Sequence, residues 1–150
     1  MMTRHTAIRA AFAAVLLTAL AGCIVIPFSS NGPATFNVAL TADQEVPPVM
    51  ATGTSTVDAS FDKTTRVLTW KLWYSGLSGQ PTAAHFHGPA KAGSNAGVAL
   101  GIPGPITNPT EGKATLTPEQ AADLLAGLWY VNVHTAVNPG GEVRGQMVAR

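Results

Sequence analysis

Between residues 36 and 74, apolar and polar side chains alternate with a period of two, and this alternation limits most strongly what the chain can fold into. The pattern occurs in three segments, at 36–40, 57–61 and 68–74. Successive side chains of a β-strand point to opposite faces of its sheet. Each segment is therefore predicted to be a strand with one buried face.

Shorter patterns predict further strands in the second half of the chain. They lie at 82–87, 97–102, 112–116, 128–135 and 142–148. The sequence Asn138-Pro139-Gly140-Gly141 separates the last two and has the residues that β-turns favour. The last two strands are therefore predicted to form a hairpin.

One short helix is predicted between these strands. Thr117 is the expected N-cap, Pro118 the first helical residue and Gln120 the partner that completes a capping box, while Gly127 follows the end. About eight short strands with a single helix predict an all-β Greek-key sandwich or flattened barrel. The composition agrees, because charged residues make up only 11% of the chain while it contains 15 glycines and 11 prolines.

The N-terminus has the pattern of an export signal. Arg4 and Arg9 precede an apolar and small-residue run at 10–21, which is shorter than the ~20 residues that span a bilayer. The run ends in Leu20-Ala21-Gly22-Cys23, which resembles the lipobox of bacterial lipoproteins. The alternatives are an ordinary secretory signal followed by a chance cysteine, and a short buried helix of a soluble protein. We expect a signal peptide at 1–22, a lipidated Cys23 with a tether at 23–34, and one domain at 35–150.

Cys23 is the one cysteine of the chain, so lipidation explains it better than a disulfide. Two or three acyl chains anchor a protein stably, and the predicted partner is accordingly a membrane. Ile24, where an Asp would favour retention, implies the outer membrane or periplasm in a cell with two membranes. All eight acidic residues follow Cys23, whereas two of the nine basic residues precede it, so the mature net charge is −1. Nucleic acid is not an expected partner.

The histidines of the mature chain lie in two strand-borne motifs. His85 and His87 are two residues apart in Ala84-His85-Phe86-His87, and His134 ends Val131-Asn132-Val133-His134. All three are expected to project from the face opposite the core. If the two strands are neighbours, three imidazoles converge on a site suited to copper or zinc. A hydrogen-bonded cluster that fixes loops is the alternative.

Charged residues on the last strand are candidates to assist such a site. Arg144 is a candidate anion-binding residue, and Glu142 a candidate outer-shell partner that orients an imidazole. An ordinary exposed ion pair is the alternative for both. Asp43 and Glu45 precede two prolines and are expected in a rigid extended loop without a catalytic role.

Five segments in order resemble the CHRD domain, which is named for chordin and found in many exported microbial proteins. They are LTADQEVPPV (40–49), YSGLSG (74–79), AAHFHGPA (83–90), LAG through YVNVHT (125–135) and NPGGEVRGQ (138–146). The resemblance implies an immunoglobulin-like barrel, distantly similar to copper/zinc superoxide dismutase, in a family without a settled activity. The His-Phe-His motif, the later histidine and the late arginine resemble the dismutase copper site. The dismutase disulfide and a histidine-rich zinc loop are not found in this sequence.

Three functional hypotheses follow. The first is a lipid-anchored, non-enzymatic envelope module that binds a protein or small-molecule ligand. The second is a copper- or zinc-binding protein, with or without redox activity, that uses His85, His87 and His134. A hydrolase, the third, requires a nucleophile beside one of these histidines. The sequence names neither the ligand nor the metal.

Overall fold

The computed structural model describes residues 32–150, and these form eight strands and one α-helix. The strands are β1 Ala34–Thr41, β2 Thr54–Asp62, β3 Val67–Ser75, β4 Pro81–His87, β5 Val98–Ile102, β6 Thr110–Thr115, β7 Trp129–Thr135 and β8 Val143–Met147. The helix α1 spans Pro118–Leu125, and a 3₁₀ turn at Ala42–Gln44 follows β1. The predicted signal peptide and Cys23 lie outside the described residues.

The strands form a single antiparallel sheet that curves into a nearly closed barrel. Their order is β5-β4-β7-β8-β1-β2-β3-β6, so β4 with β7, β8 with β1 and β3 with β6 are neighbours that do not follow each other in the chain. The all-β prediction is confirmed, and of the two predicted architectures the flattened barrel describes the sheet. Strands β5 and β6 form the two edges of the sheet and do not pair with each other, so the barrel is not fully closed.

The predicted alternation determines the core. Along β1, buried and exposed residues alternate, and Phe36, Val38 and Leu40 point inward. Leu68 and Leu72 of β3 are completely buried in the same core. Burying each such side chain stabilises the fold by roughly 1.5–3 kcal/mol.

The helix has the predicted start. Thr117 Oγ1 accepts a hydrogen bond from Gln120 N at 3.2 Å, and Gln120 Oε1 accepts one from Thr117 N at 3.0 Å. This capping box satisfies amide groups that the first helical turn leaves unpaired. Leu124 is fully buried, which holds the helix against the barrel. Within residues 32–150, no helix is long and apolar enough to cross a membrane.

The register between β4 and β7 determines which of their side chains point to the core. Phe86 pairs with Val131, and these side chains point inward, whereas His85 pairs with Asn132 on the opposite face. That opposite face was expected to be open to solvent. This face, here called the second face, is largely buried instead, and all seven residues of β7 are buried. The loop at 94–96 covers it through hydrogen bonds with His87 and Arg144.

Strands β8 and β1 join the two halves of the sheet, and a glycine allows their close approach. A Cβ on Gly145 would lie 2.6 Å from Val38 Cγ1 and 2.7 Å from the Ala39 carbonyl oxygen. Both distances are well inside van der Waals contact. A side chain at this position would therefore force β8 away from β1.

Gly145→Ala is expected to lower the free energy of unfolding by about 1–3 kcal/mol, because the added methyl group overpacks this junction. Urea unfolding followed by tryptophan fluorescence measures the change. Gly101→Ala in β5 is the matched control, since its Cβ would meet only His85 Cδ2 at 4.0 Å. Equal stability of the two variants would contradict the close-approach explanation.

Candidate metal centre

The three histidines lie together on the second face of the sheet, as the sequence predicts for neighbouring strands. His85 and His87 come from β4 and His134 from β7, which pairs directly with β4. Their candidate ligand nitrogens all lie within 4.8 Å of one another. His85 Nδ1 and His134 Nε2 are 3.0 Å apart. The arrangement gathers three imidazole rings into one cluster, in which His85 is the most accessible ring.

The ring of His134 is fixed by the β7–β8 turn. Its Nδ1 lies 2.9 Å from the carbonyl oxygen of Pro139, an acceptor, so Nδ1 carries the hydrogen. The lone pair is then on Nε2, which faces His85. Histidine ligands of metals are commonly held by such a hydrogen bond from the other ring nitrogen.

His87 is engaged at both ring nitrogens. Nδ1 lies 3.1 Å from the carbonyl oxygen of Ala96, and Nε2 lies 3.1 Å from Asn132 Oδ1. The ring also stacks on Tyr130, with 4.8 Å between centroids and an interplanar angle of 2°. These contacts leave His87 little freedom to rotate.

Arg144 also contacts Tyr130 and is buried, with 2% of its surface exposed. Its guanidinium carbon is 3.4 Å from the centre of the Tyr130 ring. Nη1 donates to Asn95 Oδ1 at 2.9 Å and Nη2 to the Ser94 carbonyl at 2.7 Å. These contacts hold the β4–β5 loop over the second face. They also stabilise the buried positive charge of the Arg144 guanidinium.

Glu142 is completely buried and belongs to a separate polar cluster. Its carboxylate accepts hydrogen bonds from the Ser78 amide at 2.7 Å, the Ser78 hydroxyl, Thr135 Oγ1 at 2.6 Å and Asn138 Nδ2 at 3.1 Å. Burial opposes ionisation, but these donors together hold its pKa below the usual range.

The prediction of an exposed Glu142–Arg144 pair is therefore wrong, since both side chains are buried and have other partners. The carboxylate of Glu142 bonds to hydroxyl and amide groups rather than to an imidazole. The group that orients the His134 ring is the Pro139 carbonyl.

Burial and mutual repulsion favour the neutral form of two histidines. Desolvation lowers the pKa of His85, and the neighbouring His134 and His87 lower it further. Desolvation also lowers the pKa of His134, with a smaller contribution from His87, although the bond to Pro139 opposes the shift. Neutral imidazole is the form that ligates a metal.

Sequence reasoning did not identify Glu45, Tyr130 or the loop at 94–96 as parts of this region. Asp43 lies in a 3₁₀ turn rather than in an extended loop, whereas Glu45 has the expected extended backbone, and its side chain is 6% exposed. Desolvation raises its pKa, while the positive charge of Arg144 and the nearby Asn132 amide oppose the shift; Glu45 Oε1 has no hydrogen-bond partner among the described residues. The sequence pattern does indicate the positions of Tyr130 and Asn132. Both alternate with the core residues of β7 and therefore share a face with His134.

The fold and the site define an all-β barrel domain whose sheet carries a three-histidine cluster under covering loops. The chain belongs to the CHRD domain family, because residues 36–147 match the CHRD domain model. CHRD domains occur in extracellular or secreted proteins, which is consistent with export. No curated protein and no solved structure matches the chain.

Folding stability is expected to decrease as the pH falls from 7.5 to 5.5, in part because of the histidines. Free imidazole binds a proton near pH 6.5, whereas folded His85 and His134 do so only at lower pH. Between these values the unfolded state holds more protons, so the free energy of unfolding rises with pH. Urea unfolding at both pH values should show a smaller decrease for His85→Gln than for the wild type.

Thr82→Gln, an exposed change on the same strand, serves as the control for this measurement. It should retain the decrease of the wild type. An identical decrease in His85→Gln would show that His85 does not contribute to the pH dependence.

Proposed function

We propose that this CHRD-domain protein is an exported, lipid-anchored envelope module that binds copper or zinc through His85, His87 and His134. The observation that carries the metal proposal is the convergence of three imidazole donors within 4.8 Å of one another. Three histidine ligands leave a coordination position open for water or a small ligand. A ligand that binds the metal at this open position would make the protein both a ligand-binding module and a metal-binding protein.

The chemistry of the donors favours copper and zinc over magnesium or calcium. Imidazole suits zinc and copper, whereas magnesium and calcium require oxygen ligands. Copper(II) generally binds such sites more tightly than zinc. The hydrogen bond from His134 Nδ1 to Pro139 further supports the proposal, because it directs the Nε2 lone pair toward His85.

Catalysis is not part of the proposal. The Ser78 hydroxyl, a candidate nucleophile, is bonded to Thr135 and Glu142 rather than to a histidine. A hydrolase of the serine type depends on a histidine base at hydrogen-bond distance from the hydroxyl.

The lipid anchor rests on the sequence, since Cys23 and its preceding lipobox lie in segment 1–31. Membership in a family of extracellular or secreted proteins supports export. A stable anchor requires two or more acyl chains, which lipoprotein processing supplies.

The soluble chain beginning after Cys23, purified without a histidine tag, is expected to bind one copper(II) or zinc ion per molecule. Calorimetric titration and elemental analysis measure the stoichiometry. The double variant His85→Gln/His134→Gln should lose affinity by more than the ~10–100-fold that loss of an outer-shell partner costs. Lys113→Gln, an exposed change on β6, is the matched control and should bind like the wild type.

Absence of stoichiometric uptake by the wild-type chain would refute the metal proposal. Equal affinity of the double variant and the control would refute the assignment of these histidines. The first result would leave the module hypothesis without its metal, whereas the second would place the metal at other residues.

The full chain is expected in the membrane fraction, and Cys23→Ala should move it to the soluble exported fraction. The physical reason is the loss of the acyl chains, each buried methylene of which contributes about 0.8 kcal/mol. Mass spectrometry of the mature N-terminus supplies the direct measurement. An unmodified Cys23 in a processed wild-type chain would count against lipidation.

A further inference from the structure

The two edge strands of the sheet, β5 and β6, differ in what lies along them. Helix α1 supplies a hydrogen bond to β5, because Gln120 Nε2 donates to the Ala99 carbonyl at 2.9 Å. The side of β6 that faces away from β3 is here called the free edge, and within residues 32–150 no hydrogen bond reaches its backbone. An uncovered edge presents unpaired N–H and C=O groups to which another strand can pair.

The hydrogen bonds at both ends of the β3–β6 pair show which groups of β6 point to the free edge. The Arg66 carbonyl accepts a hydrogen bond from Leu116 N at 2.8 Å, and Tyr74 exchanges hydrogen bonds with the side chain of Asn108. The even-numbered residues of β3 therefore face β6, and the register pairs them with the even-numbered residues of β6. Because these directions alternate along a strand, the groups at the free edge belong to the odd-numbered residues Glu111, Lys113 and Thr115.

Charges alternate across the solvent-facing side of the sheet as far as this edge. Asp58 of β2 lies opposite Lys71 of β3, which lies opposite Glu111 of β6. Lys71 Nζ and Glu111 Oε1 are 2.7 Å apart, and the Glu111 side chain is still 63% exposed. Opposite charges directly across a strand pair are stabilising, whereas like charges are destabilising. A strand added at the free edge should therefore present a positive charge to Glu111.

A second copy of β6, running antiparallel to the first, presents that charge. In a symmetric pair centred on Gly112, Glu111 lies opposite the partner's Lys113, and Lys113 lies opposite the partner's Glu111. The backbone groups of both residues point to the free edge, so the two pairs exchange four main-chain hydrogen bonds. The neighbouring symmetric registers, centred on Glu111 or on Lys113, place like charges directly opposite each other. Charge complementarity thus selects one register.

The residues around these pairs fit the same register. At its centre the two Gly112 residues form a non-hydrogen-bonded pair, the closer kind with Cα atoms about 4.5 Å apart, and neither has a side chain to obstruct the approach. Pro109 lacks an N–H group, so the ladder is short. We expect the association to be weak for this reason.

We propose that the free edge of β6 is an interaction surface for a second copy of this chain, which joins through Glu111 and Lys113 and continues the sheet across a two-fold axis at Gly112. Such a self-complementary contact is complete with two copies. The histidine cluster lies on β4 and β7, away from this edge in the strand order, so the pairing is independent of the metal proposal.

Sedimentation equilibrium of the metal-free chain that begins after Cys23 tests the pairing, because residues 32–150 contain the whole barrel. The wild type should show a monomer–dimer equilibrium between about 0.01 and 1 mM chain. Lys113→Glu should raise the dimer dissociation constant at least about fivefold, since both charge pairs become like pairs. Lys91→Glu makes the same charge change in an exposed loop and is the matched control, which should dimerise like the wild type.

A mixture of two variants tests the register. Glu111→Lys should self-associate as poorly as Lys113→Glu, because each variant brings like charges together. An equimolar mixture of the two should form a heterodimer about as strong as the wild-type dimer, since every charge then meets its opposite. Restored association excludes misfolding as the cause of the loss in the single variants.

Amide hydrogen exchange of the wild type locates the contact without any substitution. The N–H groups of Glu111 and Lys113 should exchange about twofold or more slowly at 1 mM than at 0.01 mM chain, because they are bonded only in the dimer. The N–H groups of Gly112 and Ala114 face β3 in every state, so their exchange should not depend on concentration.

Three results would overturn the inference. The first is a wild type that stays monomeric up to about 1 mM chain. The second is self-association without slower exchange at Glu111 and Lys113, which would place the contact on another surface. The third is a mixture of folded variants that associates no better than its components. All measurements use metal-free protein, so these failures are distinct from a failure of the metal proposal.

Discussion

The antiparallel pairing of β4 with β7 is the constraint on which both the core and the histidine cluster depend. It places Phe86 opposite Val131 on the inner face and His85 opposite Asn132 on the outer face. Because side chains alternate along a strand, a slip of one residue would exchange these faces. The full burial of Phe86 and Val131 makes such a slip costly, so the hydrophobic core also fixes the positions of the imidazoles.

Polar groups on the covered face are stabilised in different ways. Glu142 receives hydrogen bonds from several uncharged donors, and its pKa is lowered despite burial. For Glu45 desolvation dominates, and its pKa is raised although Arg144 and Asn132 favour ionisation. A buried carboxylate whose oxygens all accept hydrogen bonds holds the surrounding loops together. The ionisation of a buried carboxylate with an unpaired oxygen depends more strongly on the groups around it. This contrast separates the fully bonded cluster around Ser78 from the region around Glu45, whose Oε1 has no hydrogen-bond partner among the described residues.

Local patterns were sufficient for much of the fold. Alternation identified the strands, the Thr117–Gln120 capping box identified the helix, and the Asn138–Gly141 turn identified the final hairpin. The spacing of His85 and His87 placed both on one face of β4. The covering of that face was not predictable, because it depends on contacts between distant segments, such as Arg144 with Ser94 and Asn95. Glu45 was missed for the same reason, since its burial follows from the fold around it rather than from its neighbours in sequence.

The last residue of the chain returns to the beginning of the first strand, where Arg150 N donates to Thr35 O at 3.0 Å. From Thr35, β1 continues for roughly 20 Å, at ~3.3 Å per residue, to Thr41, which pairs with Arg144. His134 and Pro139 lie beyond that pairing, at the opposite end of the barrel. A surface, a fluorophore or a second domain joined at either end of residues 34–150 would therefore leave the histidine end unobstructed. In this respect the domain is suited to oriented immobilisation, with one end for attachment and the other for solution chemistry.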